Sequence, residues 1–238
     1  MALYDRYVST FKGVESELSA YALSSYFAWC EYKFLPLLEG IGHDGLLLEV
    51  GCGPGYMLEF LKRCGFTEVH GIDISREQIQ RATNRGCDAE VADVFEYLNG
   101  KPDTFDAILA LDFIEHFHKE ELMVLMPLLH KSLKQGGRLI LQTPNGEGLF
   151  PHHVIYGDLT HLTILTPSSL QQLLRQAGFQ GFHFHETGPA PKNLGGRLRL
   201  LLWHLIRFIA STIRRIETGQ SQALWTENMI CCCYKYST

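Results

Sequence analysis

The chain has no excess of basic residues: 21 lysines and arginines face 26 acids across 238 residues, a formal charge of -5. A general nucleic-acid binder tracks phosphates and shows a basic surplus, so nucleic acid is not an expected partner. Long apolar runs are also missing, and no stretch reaches the length of about 18 residues needed to span a bilayer. Met1 to Lys12 is polar and aromatic and lacks the apolar centre of a signal peptide. The seven cysteines, at 30, 52, 64, 87 and 231 to 233, form no paired framework, so reduced thiols and a cytoplasmic setting are expected. Cys231-Cys232-Cys233 sits in an expected strand, where neighbours point to opposite faces, which argues against zinc ligation. Internal repeats and low-complexity tracts are absent as well.

A hydrophobic content of 46% is ample for a core, and the length suits one α/β domain with insertions. Residues 1–43, rich in tyrosine and phenylalanine, read as a helical cap, with Tyr4 or Tyr7 as candidates for a lid. From residue 44 onward strands alternate with helices, the signature of a parallel sheet. The expected strands are 46–50, 68–73, 89–92, 105–111, 138–142, 179–186 and 229–236. Gln135-Gly136-Gly137 is expected to stop the helix near 119–134, and Thr166-Pro167 to open another. Two insertions stand out, 143–166 and 188–228. The first holds Pro144, Asn145 and three histidines, His152, His153 and His161, without a clear period. A loop that long in a compact domain is usually functional. The expected fold is therefore a Rossmann-like, doubly wound, mixed seven-stranded sheet with helices on both faces.

The most informative run is Leu46-Leu47-Leu48-Glu49-Val50-Gly51-Cys52-Gly53-Pro54-Gly55. An apolar strand runs into a glycine-dense turn and then into a helix at Tyr56, whose amide N–H groups face a ligand. The dinucleotide fingerprint G-x-G-x-x-G would need a glycine at Tyr56. The pattern is E-x-G-x-G-x-G instead, and the carboxylate of Glu49 suits a ligand that carries an ammonium group. Asp73, 22 positions after Gly51, ends the second strand, where a carboxylate accepts both ribose hydroxyls of an adenosine. The competing reading makes Asp73 the cap of the next helix, a place Ser75 fills equally well.

These motifs resemble those of the class I S-adenosylmethionine (SAM) dependent methyltransferases. Ala92-Asp93-Val94 matches their adenine-binding acid and the amide after it. Phe105–Asp112 matches the fourth-strand motif, and Leu133-Lys134-Gln135-Gly136-Gly137 matches an L-x-P-G-G turn with Gln135 in place of proline. The resemblance spans residues 46–187. It implies SAM as cofactor, S-adenosylhomocysteine as product, and cofactor contacts from Glu49, Gly51, Cys52, Gly53, Gly55, Asp73, Ile74, Asp93, Val94 and Leu111.

The acceptor belongs beyond the carboxyl ends of the strands. Asp112-Phe113-Ile114-Glu115-His116 lies there and resembles the acid-x-x-Glu-His stretch of quinone-biosynthesis O-methyltransferases, whose matching residues are associated with magnesium. Three readings stay open: His116 as general base, Asp112, Glu115 and His116 as ligands of a divalent cation, or Glu115 and His116 as a hydrogen-bonded structural pair. Gly157-Asp158-Leu159-Thr160-His161 resembles a block of bacterial methyltransferases from glycan and sugar pathways. It puts Asp158 and His161 on the acceptor side, or else makes them turn-forming residues. The expected activity is O-methylation of a small molecule or a lipid-linked sugar. The alternatives are a quinone-like phenol, an amino-sugar nitrogen, or a SAM-binding subunit without catalysis.

The second insertion carries a basic amphipathic segment, 194–217. Arg197, Arg199, His204, Arg207, Arg214 and Arg215 share one half of its helical wheel, and Leu198, Leu202, Leu205, Ile209, Ile213 and Ile216 the other. The expected arrangement packs the apolar half on the sheet or a second subunit and leaves the arginines solvated. The other reading is peripheral contact with the inner face of an anionic membrane.

Overall fold

A computed structural model of the protein describes residues 18–236. Tyr4 and Tyr7 lie outside the described residues. Seven strands, β1 (Leu47–Val50), β2 (Val69–Asp73), β3 (Ala89–Val91), β4 (Phe105–Leu111), β5 (Leu133–Pro144), β6 (Gln180–Glu186) and β7 (Asn228–Tyr234), form one sheet in the order β3-β2-β1-β4-β5-β7-β6. Only β7 runs antiparallel to its neighbours. The order reverses beside β1, so β1 and β4 part at their carboxyl ends and leave the crevice in which such sheets bind ligands.

Alternation along the strands divides the interior into two cores. Leu48, Val50, Ile108, Ala110, Cys231 and Cys233 face α4 (Val94–Leu98), α5 (Lys119–Ser132) and α7 (Pro167–Gln176). Leu47, Ala107, Leu109, Ile230 and Cys232 face α1 (Ala20–Lys33), α2 (Tyr56–Arg63) and α3 (Arg76–Asn84). Each fully buried leucine contributes about 1.5–3 kcal/mol. The three consecutive cysteines thus fill both cores as small apolar groups, all of them free thiols. Of the aromatic cap, α1 and the 3-10 turn after it (Leu35–Leu38) cover the second core through Cys30, Phe34 and Leu38.

Two expectations need correction. Gly136 and Gly137 do not separate helix from strand. α5 ends at Ser132 and β5 starts at once, so the glycines form a bulge inside it, where Gly136 N donates to Lys235 O and Lys235 N donates to Gly137 O. Gly136 has φ 78°, and a Cβ on Gly137 would lie 2.8 Å from Lys134 O, so both positions need glycine.

The larger correction concerns α8 (Leu194–Thr218). Its apolar half does not pack on the sheet: Leu198, Leu202, Leu205, Ile209, Ile213 and Ile216 are all exposed. The side turned to the protein carries Trp203, Arg207, Ser211 and Arg214. Arg207 pairs with Glu186 at 3.1 Å, Trp203 Nε1 donates to Glu186 Oε2, and Trp225 Nε1 donates to Ser211 Oγ. A carboxylate at the end of β6 decides which face turns inward, because it needs cationic and N–H partners that the leucine face lacks. Among the described residues no helix is long and apolar enough to cross a membrane.

Candidate active site

Beyond the carboxyl ends of β1, β2 and β4 lies a cleft of about 580 Å³. Its cofactor end is built on the turn after β1. Gly51, Gly53 and Gly55 all have positive φ, and a Cβ on Gly51 would sit 2.4 Å from the Phe113 ring. Glycine is required there to bring the backbone close to a ligand. Asp73 holds the turn from the next strand, since its Oδ2 accepts from Gly53 N at 2.9 Å and its Oδ1 from Ser75 N at 2.8 Å. Ser75, and not Asp73, caps α3. Asp93 Oδ1 accepts from Phe95 N and Glu96 N and so caps α4 at the cleft wall.

Glu49 is buried, and its Oε2 has no hydrogen-bond partner among the described residues. Burial, reinforced by Asp73, holds its carboxyl well above the usual carboxylate range. An orphaned buried acid lining a cleft fits a cationic ligand group, which would restore its charged form. Cys52 lines the same wall, and burial pushes its thiol up, so it acts as an apolar surface and not as a nucleophile. Ile74, Val94 and Leu111 also line the cleft. Gly55 does not. It starts α2, and its Cα backs on Ala82 and Cys87, where a side chain would collide. Its place in the motif is steric.

The acceptor end is assembled by side chains from distant segments. Glu115 and His116 lie in a 3-10 turn after β4, and the first insertion folds over them. Leu162 N and Thr163 N both donate to Glu115 O. His153, Val154, Gly157, Asp158 and His161 of this insertion line the cleft. Glu115 Oε2 accepts from Thr143 Oγ1 at 3.1 Å, and burial with Asp112 nearby raises its pKa well above the usual value. Asp112 takes the amide of Gln142 with both oxygens.

His116 belongs to a chain of three groups. Thr160 Oγ1 lies 2.6 Å from Asp158 Oδ1 and 2.9 Å from His116 Nδ1. A carboxylate only accepts, so the single hydroxyl hydrogen of Thr160 goes to Asp158. Towards His116 the hydroxyl oxygen must then accept. The neutral imidazole therefore carries its proton on Nδ1 and its lone pair on Nε2, a tautomer assigned from this network. Asp158 acts through Thr160, which also donates its backbone N–H to Oδ1 at 2.9 Å. It is a turn-forming residue and a positioning group at once.

The side chains that gather as a metal-sized cluster are Glu115, His116 and His161, with ligand atoms within 4.8 Å of one another, so His161 stands where one of the three readings had Asp112. Magnesium favours oxygen shells. Two imidazoles and one carboxyl group do not make such an oxygen shell. His161 stands edge-on to His116, with ring centroids 5.0 Å apart. Sequence reasoning gave no role to Thr160, Thr143 or Gln142, or to Tyr26, which lines the cleft from α1. Thr160 lies inside the Gly157–His161 segment, but its value comes from His116, 44 residues away.

The family profile described as "Methyltransferase domain" matches residues 28–183. The mitochondrial ubiquinone biosynthesis O-methyltransferase of Rattus norvegicus is 32% identical over 108 residues, 42% of this chain and 30% of that protein. The 27-O-demethylrifamycin SV methyltransferase of Amycolatopsis mediterranei is 34% identical over 114 residues, 45% of this chain and 40% of that protein. The chain thus covers less than half the length of either relative. A SAM-dependent methyltransferase from Archaeoglobus fulgidus superposes with a TM-score of 0.68 at 21% identity, over 96% of this chain and 98% of that one.

Proposed function

The chain belongs to the methyltransferase domain family, and we propose that it is a class I SAM-dependent enzyme that methylates a hydroxyl group with His116 as general base. The observation that carries the reading is the Asp158–Thr160–His116 chain, which presents Nε2 of His116 as a proton acceptor. An alcohol or phenol needs such a group, because its oxygen attacks best as the proton leaves.

SAM supplies, when bound, a methyl group on a positively charged sulfur. Glu49 would receive its ammonium group, Asp73 its ribose hydroxyls, and Asp93 with Val94 N–H its adenine, beside the Gly51–Gly53 turn. Methylation of a hydroxyl would release its proton, and His116 Nε2 is the group placed to take it. His161, against the His116 ring, closes the acceptor end and offers a second imidazole to the same proton. Glu115, buried and held towards its neutral form, shapes the pocket floor and keeps negative charge away from the sulfonium.

Names of relatives support an oxygen acceptor: both curated proteins above are called O-methyltransferase or demethylrifamycin methyltransferase. The aromatic and aliphatic walls Phe113, Phe117, Val154 and Pro144 suit an apolar acceptor, such as a quinone-like phenol or a lipid-linked molecule. A sugar acceptor rests only on the Gly157–His161 block, and an amino-sugar nitrogen gains nothing from the His116 network. The test is release of S-adenosylhomocysteine from a panel of phenols, sugar alcohols and amines. Turnover on a hydroxyl acceptor that collapses in His116→Ala supports the reading. Turnover confined to amines and indifferent to that substitution rejects it.

A further inference from the structure

We propose that α8 is a membrane-surface helix whose leucine–isoleucine face lies in the interfacial region of an anionic bilayer. This deepens the reading above and rests on it for one point, the apolar acceptor. The helix is 25 residues long, about 37 Å at 1.5 Å per residue. It is turned inside out relative to an ordinary surface helix. Its inner side is fastened by polar contacts, Arg207 to Glu186 and to Ala223 O, and Trp203 to Glu186. Its outer side carries an unbroken apolar strip, with Leu198 56%, Leu205 55% and Ile213 61% exposed. A solvated strip of that extent is unusual on a soluble protein and marks an interaction face.

Charge selects the occupant. The helix holds five arginines and one acid, Glu217, in a chain whose net charge is -5. Arg197, Arg199 and Arg215 are exposed beside the strip, where cationic heads on long stems reach an anionic surface while the leucines sink below it. A second copy of the chain would set the same cationic margins against each other. An anionic lipid surface has the opposite sign and offers no acidic groups that must be matched one by one.

Topology places the helix where such a surface is useful. The 188–228 insertion leaves the sheet after β6 and returns at Asn228, which lines the cleft. It is tied to the first insertion as well: Gln222 Nε2 donates to Glu147 O, and Leu149 N donates to Trp225 O. That first insertion exposes Phe150, Tyr156 and Leu159 while His153, Val154, Asp158 and His161 line the acceptor end. A lipid-dissolved acceptor would therefore meet the cleft at its own depth. Since no described helix can cross a membrane, α8 lies on the surface.

The experiment is vesicle flotation of the whole chain with phosphatidylglycerol–phosphatidylcholine vesicles and with phosphatidylcholine alone, at low and high salt. Anionic vesicles should carry the protein at low salt and release most of it at high salt. The double variant Leu205→Asp/Ile209→Asp and the triple variant Arg197→Glu/Arg199→Glu/Arg215→Glu should each bind at least about tenfold more weakly. Both alter exposed positions, and unchanged calorimetric SAM binding checks that each variant is folded. No flotation on anionic vesicles at low salt overturns the proposal. So does equal, salt-insensitive binding to phosphatidylcholine, or a dimer in light scattering that Leu205→Asp/Ile209→Asp turns into a monomer. SAM binding without flotation rejects only the membrane, and flotation without SAM binding rejects only the cofactor assignment.

Discussion

Around Gly51, Gly53 and Asp73 the cleft wall is held by main-chain amides, whereas around His116 and His161 it is held by side chains from segments 44 residues apart. The first kind of wall tolerates changes in most side chains, because the backbone path supplies the donors. The second depends on each member, because removing one group changes what its neighbours donate or accept. Substitutions at the acceptor end should therefore act on rate and leave cofactor binding intact. Those at the cofactor end should act on binding.

The largest effect is expected at His116. His116→Ala should lower turnover by about 10²–10⁴-fold, with the calorimetric SAM affinity within a factor of about two of the parent protein. A weakened SAM affinity would erase the distinction between the two ends. If His161→Ala produced the larger loss in rate, the base would be His161, and the Thr160 network would only position its neighbour.

Next comes Asp73→Ala, which removes the acceptor of Gly53 N and Ser75 N and the proposed partner of the ribose hydroxyls. A charge-assisted bond of this kind contributes about 1.5–3 kcal/mol, a rise in the SAM dissociation constant of about 10–150-fold. Calorimetry reads it directly, and NAD binding in place of SAM binding would reject the cofactor assignment for the whole half.

Thr160→Val is the sharper, smaller test. It keeps the β-branched shape but removes the hydroxyl, so His116 Nδ1 loses its hydroxyl partner and the tautomer is no longer fixed by Asp158. Turnover should fall by about tenfold, and Asp158→Asn should behave alike, with Thr160→Ser restoring most of the rate. A structural role alone would lower the melting temperature without this rescue.

The same contrast explains which parts could be read in the sequence. β1, its glycine turn, Asp73 and Asp93 are each signalled within a few residues, since a strand end, a tight turn and a helix cap are local events. The two faces of the Cys231–Cys233 strand follow from a period of two. The turn from Asp158 to Thr160 is local, but the role of Thr160 is not legible there, because its other partner, His116, is 44 residues away. Glu186 was decisive and equally silent. Its charge holds Trp203 and Arg207 of α8 inward, and amphipathic spacing alone gives two halves without saying which side the protein keeps.

The smallest effect should separate stability from function at Glu49. Burial raises its folded-state pKa above the unfolded value, so the folded protein binds the proton more tightly than the unfolded chain does. Below the unfolded pKa this group costs nothing, and the cost grows as pH rises towards and through the folded pKa. Glu49→Gln removes the ionisation and keeps the size. Without SAM, the variant should melt at least about 2 °C above the parent at pH 8, with the gain shrinking towards pH 5. SAM binding should weaken in the same variant, because the ammonium group loses its counter-charge. A variant that melts lower at pH 8 while binding SAM normally would mean that Glu49 is a stabilising core acid, and that the cofactor's amino group is held elsewhere in the turn.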